Sequence, residues 1–287
     1  MAVQTVRANG QDHVQDQVLG AVRRLCLLGG AGPCVQYPER RVLIPEGSKR
    51  LLVFVALHGR RVDRRHVAGM LWPDGDDERA SGNLRSALWR LKGAGIDVLE
   101  ADKVAVALGA GVEVDVDLLS EWSDRLINGT ARRAELRIWP DALQAVDLLP
   151  GWYDDWVIFA RERLRQRLLH GLEALSRRLC ECGNLGEAVE VAVTAVSLEP
   201  LRESAQTVLV EAHLAEGNVI EALRCFRSYR RTLDVELGVE PGQRLVGLIE
   251  HACNRSRGGH RDTAARRALS AELSIPERSP NHVTRER

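Results

Sequence analysis

The segment ERASGNLRSALWRLKG, residues 78–93, carries Arg79, Arg85, Arg90 and Lys92 and has no acid after its opening Glu78. Guanidinium groups present planar forks of N–H donors that match guanine O6 and N7 or a phosphate, and an ammonium is a point charge suited to phosphate. The chemistry open to such a set is recognition of a polyanion rather than bond making. Placed at about 100° per residue, Ala80, Leu84, Ala87, Leu88 and Leu91 fall in one stripe, with Arg79, Arg85, Ser86, Trp89 and Arg90 on the outer arc. Charge alone leaves two readings of that arc: a helix face that reads DNA, or an ordinary solvated basic face. Trp89 is open in the same way, either on the groove side or packed under neighbouring strands, because large aromatics are mostly buried.

Residues for covalent chemistry do not assemble. Asp115 and Asp117 in VEVDVD read as one face of a strand, with no histidine or metal ligand spaced to work with them. LLGGAGP follows a strand-like stretch, but Pro33 and another strand stand where a phosphate-cradling helix should begin, and no G-x-x-x-x-G-K-[ST] occurs. The six cysteines are scattered; CEC at 180–182 lacks the spacing and the second pair of a zinc site. The expectation is therefore no enzyme, no cofactor and no metal.

RRLCLL (23–28) and RVLI (41–44) read as strands separated by a turn-rich stretch. Ser48 is expected to cap a first helix reaching about His58. A second helix opens at Asp63 with Val62, Val67, Met70 and Leu71 inward, and Trp72-Pro73 stops it, with Trp72 as a core plug. DGDDE then supplies the N-cap and first-turn acids of the basic helix. DVLEA and VAVAL, joined through Ala101-Asp102-Lys103, read as a hairpin. Strands, three helices and a hairpin in this order predict a winged helix-turn-helix with an N-terminal sheet.

The whole chain is neutral, with 40 basic and 40 acidic residues. The neutrality conceals 15 basic against 13 acidic in 21–120 and 16 against 21 in 121–250, so any nucleic-acid grip must be local rather than by bulk charge. The first twenty residues have no apolar signal region, and the longest apolar run, LLVFVAL, falls far short of the ~20 residues of a membrane span. GNLGEA at 183–188 recurs as GNVIEA at 217–222, an offset of 34, which is the tetratricopeptide period. Ala188, Ala195, Ala222 and Phe226 take the positions where paired helices cross. The fold class expected is mainly α with a small β component: a disordered 1–20, a winged helix-turn-helix over 21–120, a tetratricopeptide-like all-α array over 121–254 and a disordered basic tail over 255–287. An array of this kind ordinarily makes protein contacts, so an interaction adaptor whose winged helix also binds protein is a second reading.

LLVFVALHGRRVDRRHVAGMLWPDGDDERASGNLRSALWRLK resembles the DNA-binding domain of the Streptomyces antibiotic regulatory protein family, whose winged helix is of OmpR type. LLPGW, LEPLRE and GNVIEALRCFRSYRRTLDVELGVEP, in that order, resemble the bacterial transcriptional activator domain that follows it. The resemblance implies a cytoplasmic, nucleoid-associated activator that binds direct repeats in promoter DNA as two copies, recruits RNA polymerase holoenzyme and regulates secondary metabolism such as antibiotic biosynthesis. By position in the motif, Arg79, Arg85, Ser86, Trp89, Arg90 and Lys92 belong to the recognition helix and Lys103 to the wing tip. Lys49, Arg50, Arg64 and Arg65 are candidate phosphate contacts. Trp72, Pro73, Asp74, Gly75 and Asp76 correspond to the loop that faces polymerase.

Overall fold

The computed structural model describes residues 23–29, 32–59, 61–139 and 148–257. The expected disordered segment 1–20 lies outside them, as do residues 258–287 of the expected tail 255–287, whose first three residues instead end a helix, Gln243–Arg257. Contacts divide the chain into two compact units, Met1–Gly171 and Leu172–Arg287.

The first unit begins with β1 (Arg23–Cys26), β2 (Cys34–Gln36) and β3 (Arg41–Leu43), joined antiparallel in sequence. Alternation puts Leu25 and Val35 inside. Then come α1 (Glu46–Leu57), β4 (Arg61–Asp63), α2 (Arg64–Leu71), α3 (Asp77–Gly93), β5 (Leu99–Ala101) and β6 (Ala105–Leu108). β4, absent from the sequence expectation, pairs antiparallel with β6 and makes the hairpin a three-stranded sheet of order β4-β6-β5. β7 (Val112–Val114) returns parallel to β1, and α4 (Asp115–Ile127) follows. Asp115 therefore starts a helix and is not on a strand face. Its Oδ2 accepts the backbone N–H groups of Leu27 and Leu28 at 2.8 and 2.9 Å, so it ties the end of β1 to the start of α4.

Three further expectations change. Ser48 does not cap α1, which begins two residues earlier. It is buried, and its hydroxyl donates to the Ala87 carbonyl at 2.8 Å, fastening α1 to α3. Met70 is 42% exposed, because α2 buries only Val67, Ala68 and Leu71. Trp72 is half-buried at the C-terminus of α2, so it plugs no core.

After α4, the Trp122 indole N–H donates to the Glu135 carbonyl at 3.1 Å. The LLPGW stretch is held by one side chain: Arg161 donates to the carbonyls of Leu148, Leu149 and Trp152 at 2.8, 2.9 and 3.2 Å. That clamp fixes Leu149 at φ 53°, a left-handed conformation costly for a branched side chain.

α5 (Asp155–Glu181) contains the boundary between the units. The second unit continues with α6 (Leu185–Leu198), α7 (Glu203–Ala215), α8 (Val219–Leu237) and α9 (Gln243–Arg257), each packed on the next. The 34-residue echo is a repeated turn. Gly183 and Gly217 sit at φ 80° and 85°, the left-handed region that glycine enters freely. The following Asn184 and Asn218 N–H groups reach back to the carbonyls of Leu179 and His213 at 2.9 and 2.8 Å. Ala188, Ala195 and Ala222 are fully buried and Phe226 nearly so, as expected where helices cross closely. The protein is mainly helical, with its strands at the N-terminal end and a helical array after them.

Candidate nucleic-acid interface

α2 and α3 are each started by an aspartate. Asp63 Oδ1 accepts the N–H groups of Arg65 and His66, both at 2.9 Å, and Asp76 Oδ1 accepts that of Arg79 at 2.7 Å. Asp77 and Glu78 add negative charge at the positive end of α3. Ala80, Leu84, Ala87 and Leu91 are buried and Leu88 partly so, which fixes the rotation of the helix. Arg79, Arg85, Ser86, Trp89, Arg90 and Lys92 are all exposed on its other side. Trp89, at 75% exposure, does not pack beneath the wing.

The cations on this surface are of two kinds. The side chains of Arg65, Arg79, Arg85, Lys92 and Lys103 form no hydrogen bond or ion pair with another described residue. Others are engaged. Arg90 donates to the Gly47 carbonyl at 2.9 Å, and a Cβ on Gly47 would stand 3.1 Å from its guanidinium, so glycine admits it to the start of α1. Lys49 pairs with Glu46 at 2.6 Å. Arg50 binds the Asp154 carboxylate and the Leu71 carbonyl. Arg64 donates to the Asp102 carbonyl at 3.2 Å.

The wing tip is built on Asp102. Its Oδ1 accepts the N–H groups of Val104 and Ala105, both at 2.7 Å, and its Oδ2 accepts Arg61 at 2.9 Å. Those backbone donors, led by Ala105, and the Arg61 guanidinium hold its carboxyl down at about 2. The turn so closed leaves Lys103 exposed next to Val104, which is 64% exposed. Of Asp102, Arg61 and Arg161, the sequence marks Asp102 alone, as the middle residue of the hairpin turn. An Asx turn at Asp102, two residues before Val104, is the one local signal among them.

In the loop between α2 and α3, Pro73, Asp74, Gly75 and Asp76 are exposed. Asp76 already serves as the α3 cap, which leaves Asp74 as the uncommitted acid of the loop.

Residues 130–251 match the family model of the bacterial transcriptional activator domain. The regulatory protein AfsR of Streptomyces griseus is 26% identical over 216 residues, 71% of this chain and 22% of that protein, so the chain spans about a fifth of the length of that relative. The solved structure of Mycobacterium tuberculosis EmbR in complex with a low-affinity phosphopeptide superposes with a TM-score of 0.60 at 19% identity, covering 88% of this chain and 69% of that one. The chain thus carries a bacterial transcriptional activator domain over residues 130–251, is similar to AfsR, and shares its fold with EmbR. Among the described residues no three His, Cys, Asp or Glu side chains gather to hold a metal, and no helix is long and apolar enough to cross a membrane.

Proposed function

We propose that this protein is a sequence-specific DNA-binding transcriptional activator in which α3 lies in the major groove and the sheet β4-β6-β5 rests on the adjoining backbone. The observation that carries the reading is the outer face of α3, where Arg79, Arg85 and Lys92 are exposed and unengaged on a helix whose opposite stripe is buried. A helix fits the major groove, and arginine there can donate two parallel hydrogen bonds to guanine. Arg65 and Lys103, free on α2 and the wing, take phosphates; Arg90, Arg50, Arg64 and Lys49 act first as braces of the frame. The residues 21–120 hold the base contacts and the residues 121–254 the contacts with transcription machinery. Asp74 and its neighbours in the α2–α3 loop face RNA polymerase holoenzyme, two copies occupy adjacent direct repeats, and the pathway regulated is one of secondary metabolism in the cytoplasm.

Arg85→Ala should weaken binding to the preferred site by about 1–3 kcal/mol, with binding to random DNA nearly unchanged. Lys103→Ala should lower both alike and reduce the slope of affinity against salt. Fluorescence anisotropy titrations over a range of salt concentrations measure both. Equal affinity of Arg85→Ala and the parent for the preferred site would remove α3 as the reader.

A further inference from the structure

Trp89 lies roughly 170° around α3 from the mean direction of Ala80, Leu84, Ala87 and Leu91, at the crest of the outer face. It is 75% exposed, among the most exposed large apolar side chains of the described chain. Burying an indole against a partner is worth more than leaving it in water, so a crest tryptophan flanked by cations marks a contact surface. Arg85 and Lys92 lie to one side of it, and Arg79 and Arg90 to the other. Ser86 and Gly82, its neighbours one and two turns back, are small. A Cβ on Gly82 would meet only the tip of Arg85, at 3.6 Å, so packing inside the protein does not call for glycine there. Glycine in a helix interior costs up to about 1 kcal/mol against alanine. The crest is thus one large apolar side chain with cleared ground beside it and cations along both edges.

A DNA groove offers a counterpart to each part. Phosphates line both rims, and the one apolar substituent displayed on the floor of the major groove is the thymine C5-methyl. We infer that Trp89 is a specificity-determining residue that packs its indole on a thymine methyl in each repeat. The inference rests on the proposed reading of DNA by α3. It assigns the site a chemical preference, a thymine at a position set by Trp89, that cations alone would not impose.

The test is a thymine-to-deoxyuridine scan, which removes one methyl at a time and leaves every hydrogen-bonding group in place. The full chain, its Trp89→Ala variant and its Trp89→Phe variant are titrated against duplexes bearing the preferred site, with circular dichroism confirming the fold of each. The parent should lose about 3- to 10-fold in affinity at one thymine position per repeat. Trp89→Ala should bind more weakly and be indifferent to deoxyuridine at that position, whereas Trp89→Phe should keep part of the sensitivity. Specific binding by the parent with every deoxyuridine duplex held as tightly as its thymine counterpart overturns the role of Trp89 and leaves the DNA reading intact. So does an equal deoxyuridine loss in the parent and Trp89→Ala. A parent that prefers no sequence overturns the reading of DNA itself, and this inference with it.

Discussion

Arg202→Ala should destabilise the second unit by about 3–5 kcal/mol, read as a lowered urea midpoint. Arg202 pairs with Glu173 at 2.6 Å, and the two side chains are only 16% and 6% exposed. Ser204 donates its hydroxyl to the same Glu173 oxygen at 2.7 Å. Removing the guanidinium takes the Arg202 charge and its hydrogen bond away from a buried carboxylate, so less of the desolvation already incurred is offset. The pair Glu173→Gln with Arg202→Met removes both charges and should recover much of the loss. A loss below about 1 kcal/mol in the single variant would contradict the buried pair, since that is the range of exposed ion pairs.

Phe54→Ala should cost the first unit about 3–5 kcal/mol. Phe54 is fully buried, stacked on His58 with ring centroids 3.8 Å apart and edge-on to Trp156 at 5.1 Å. Its loss removes the aromatic centre on which α1 rests, and α1 carries the Ser48 bond to α3. Acid sensitivity follows from the same cluster. Burial, the largest influence, holds the His58 imidazole below its ordinary 6.5, against the hydrogen bond it makes with the Phe54 carbonyl. A lowered imidazole pKa means the unfolded chain takes the proton first. The stability tied to His58 is therefore complete above about pH 6.5 and declines as the pH falls below it. Opening the cluster hydrates His58, so Phe54→Ala should also flatten the dependence of unfolding on pH between about 7 and 5. Equal midpoints for the variant and the parent across that range would contradict the packing.

Where structure depended on neighbours along the chain, the residues foretold it. The stripe of Ala80, Leu84, Ala87 and Leu91 and the caps Asp63 and Asp76 are local patterns, and they set both the rotation and the start of α3. The 34-residue echo was legible because each unit must turn at the same place with the same left-handed glycine. Sequence and structure part where partners are distant. A serine ahead of an apolar run looks like a cap, and only the Ala87 carbonyl, 39 residues on, gives Ser48 its actual bond. Arg50 resembles any exposed cation until Asp154, 104 residues away, is placed beside it. β4 is three residues long, too short for alternation to reveal, and exists because β6 offers it a pairing edge. The division of cations into free and engaged was thus invisible in the sequence, although their clustering on α3 was not.

On the proposed reading, the free face of α3 selects a DNA sequence. Its most direct test is to sequence the fragments that the purified full chain retains from a random or genomic pool, alongside those retained by Arg85→Ala. The parent should enrich a short motif repeated in the same orientation, and Arg85→Ala should lose or relax a guanine within it. Recovery of fragments with no common motif, at an affinity that responds to salt alone, would contradict the claim and leave the winged helix as a surface for protein contact.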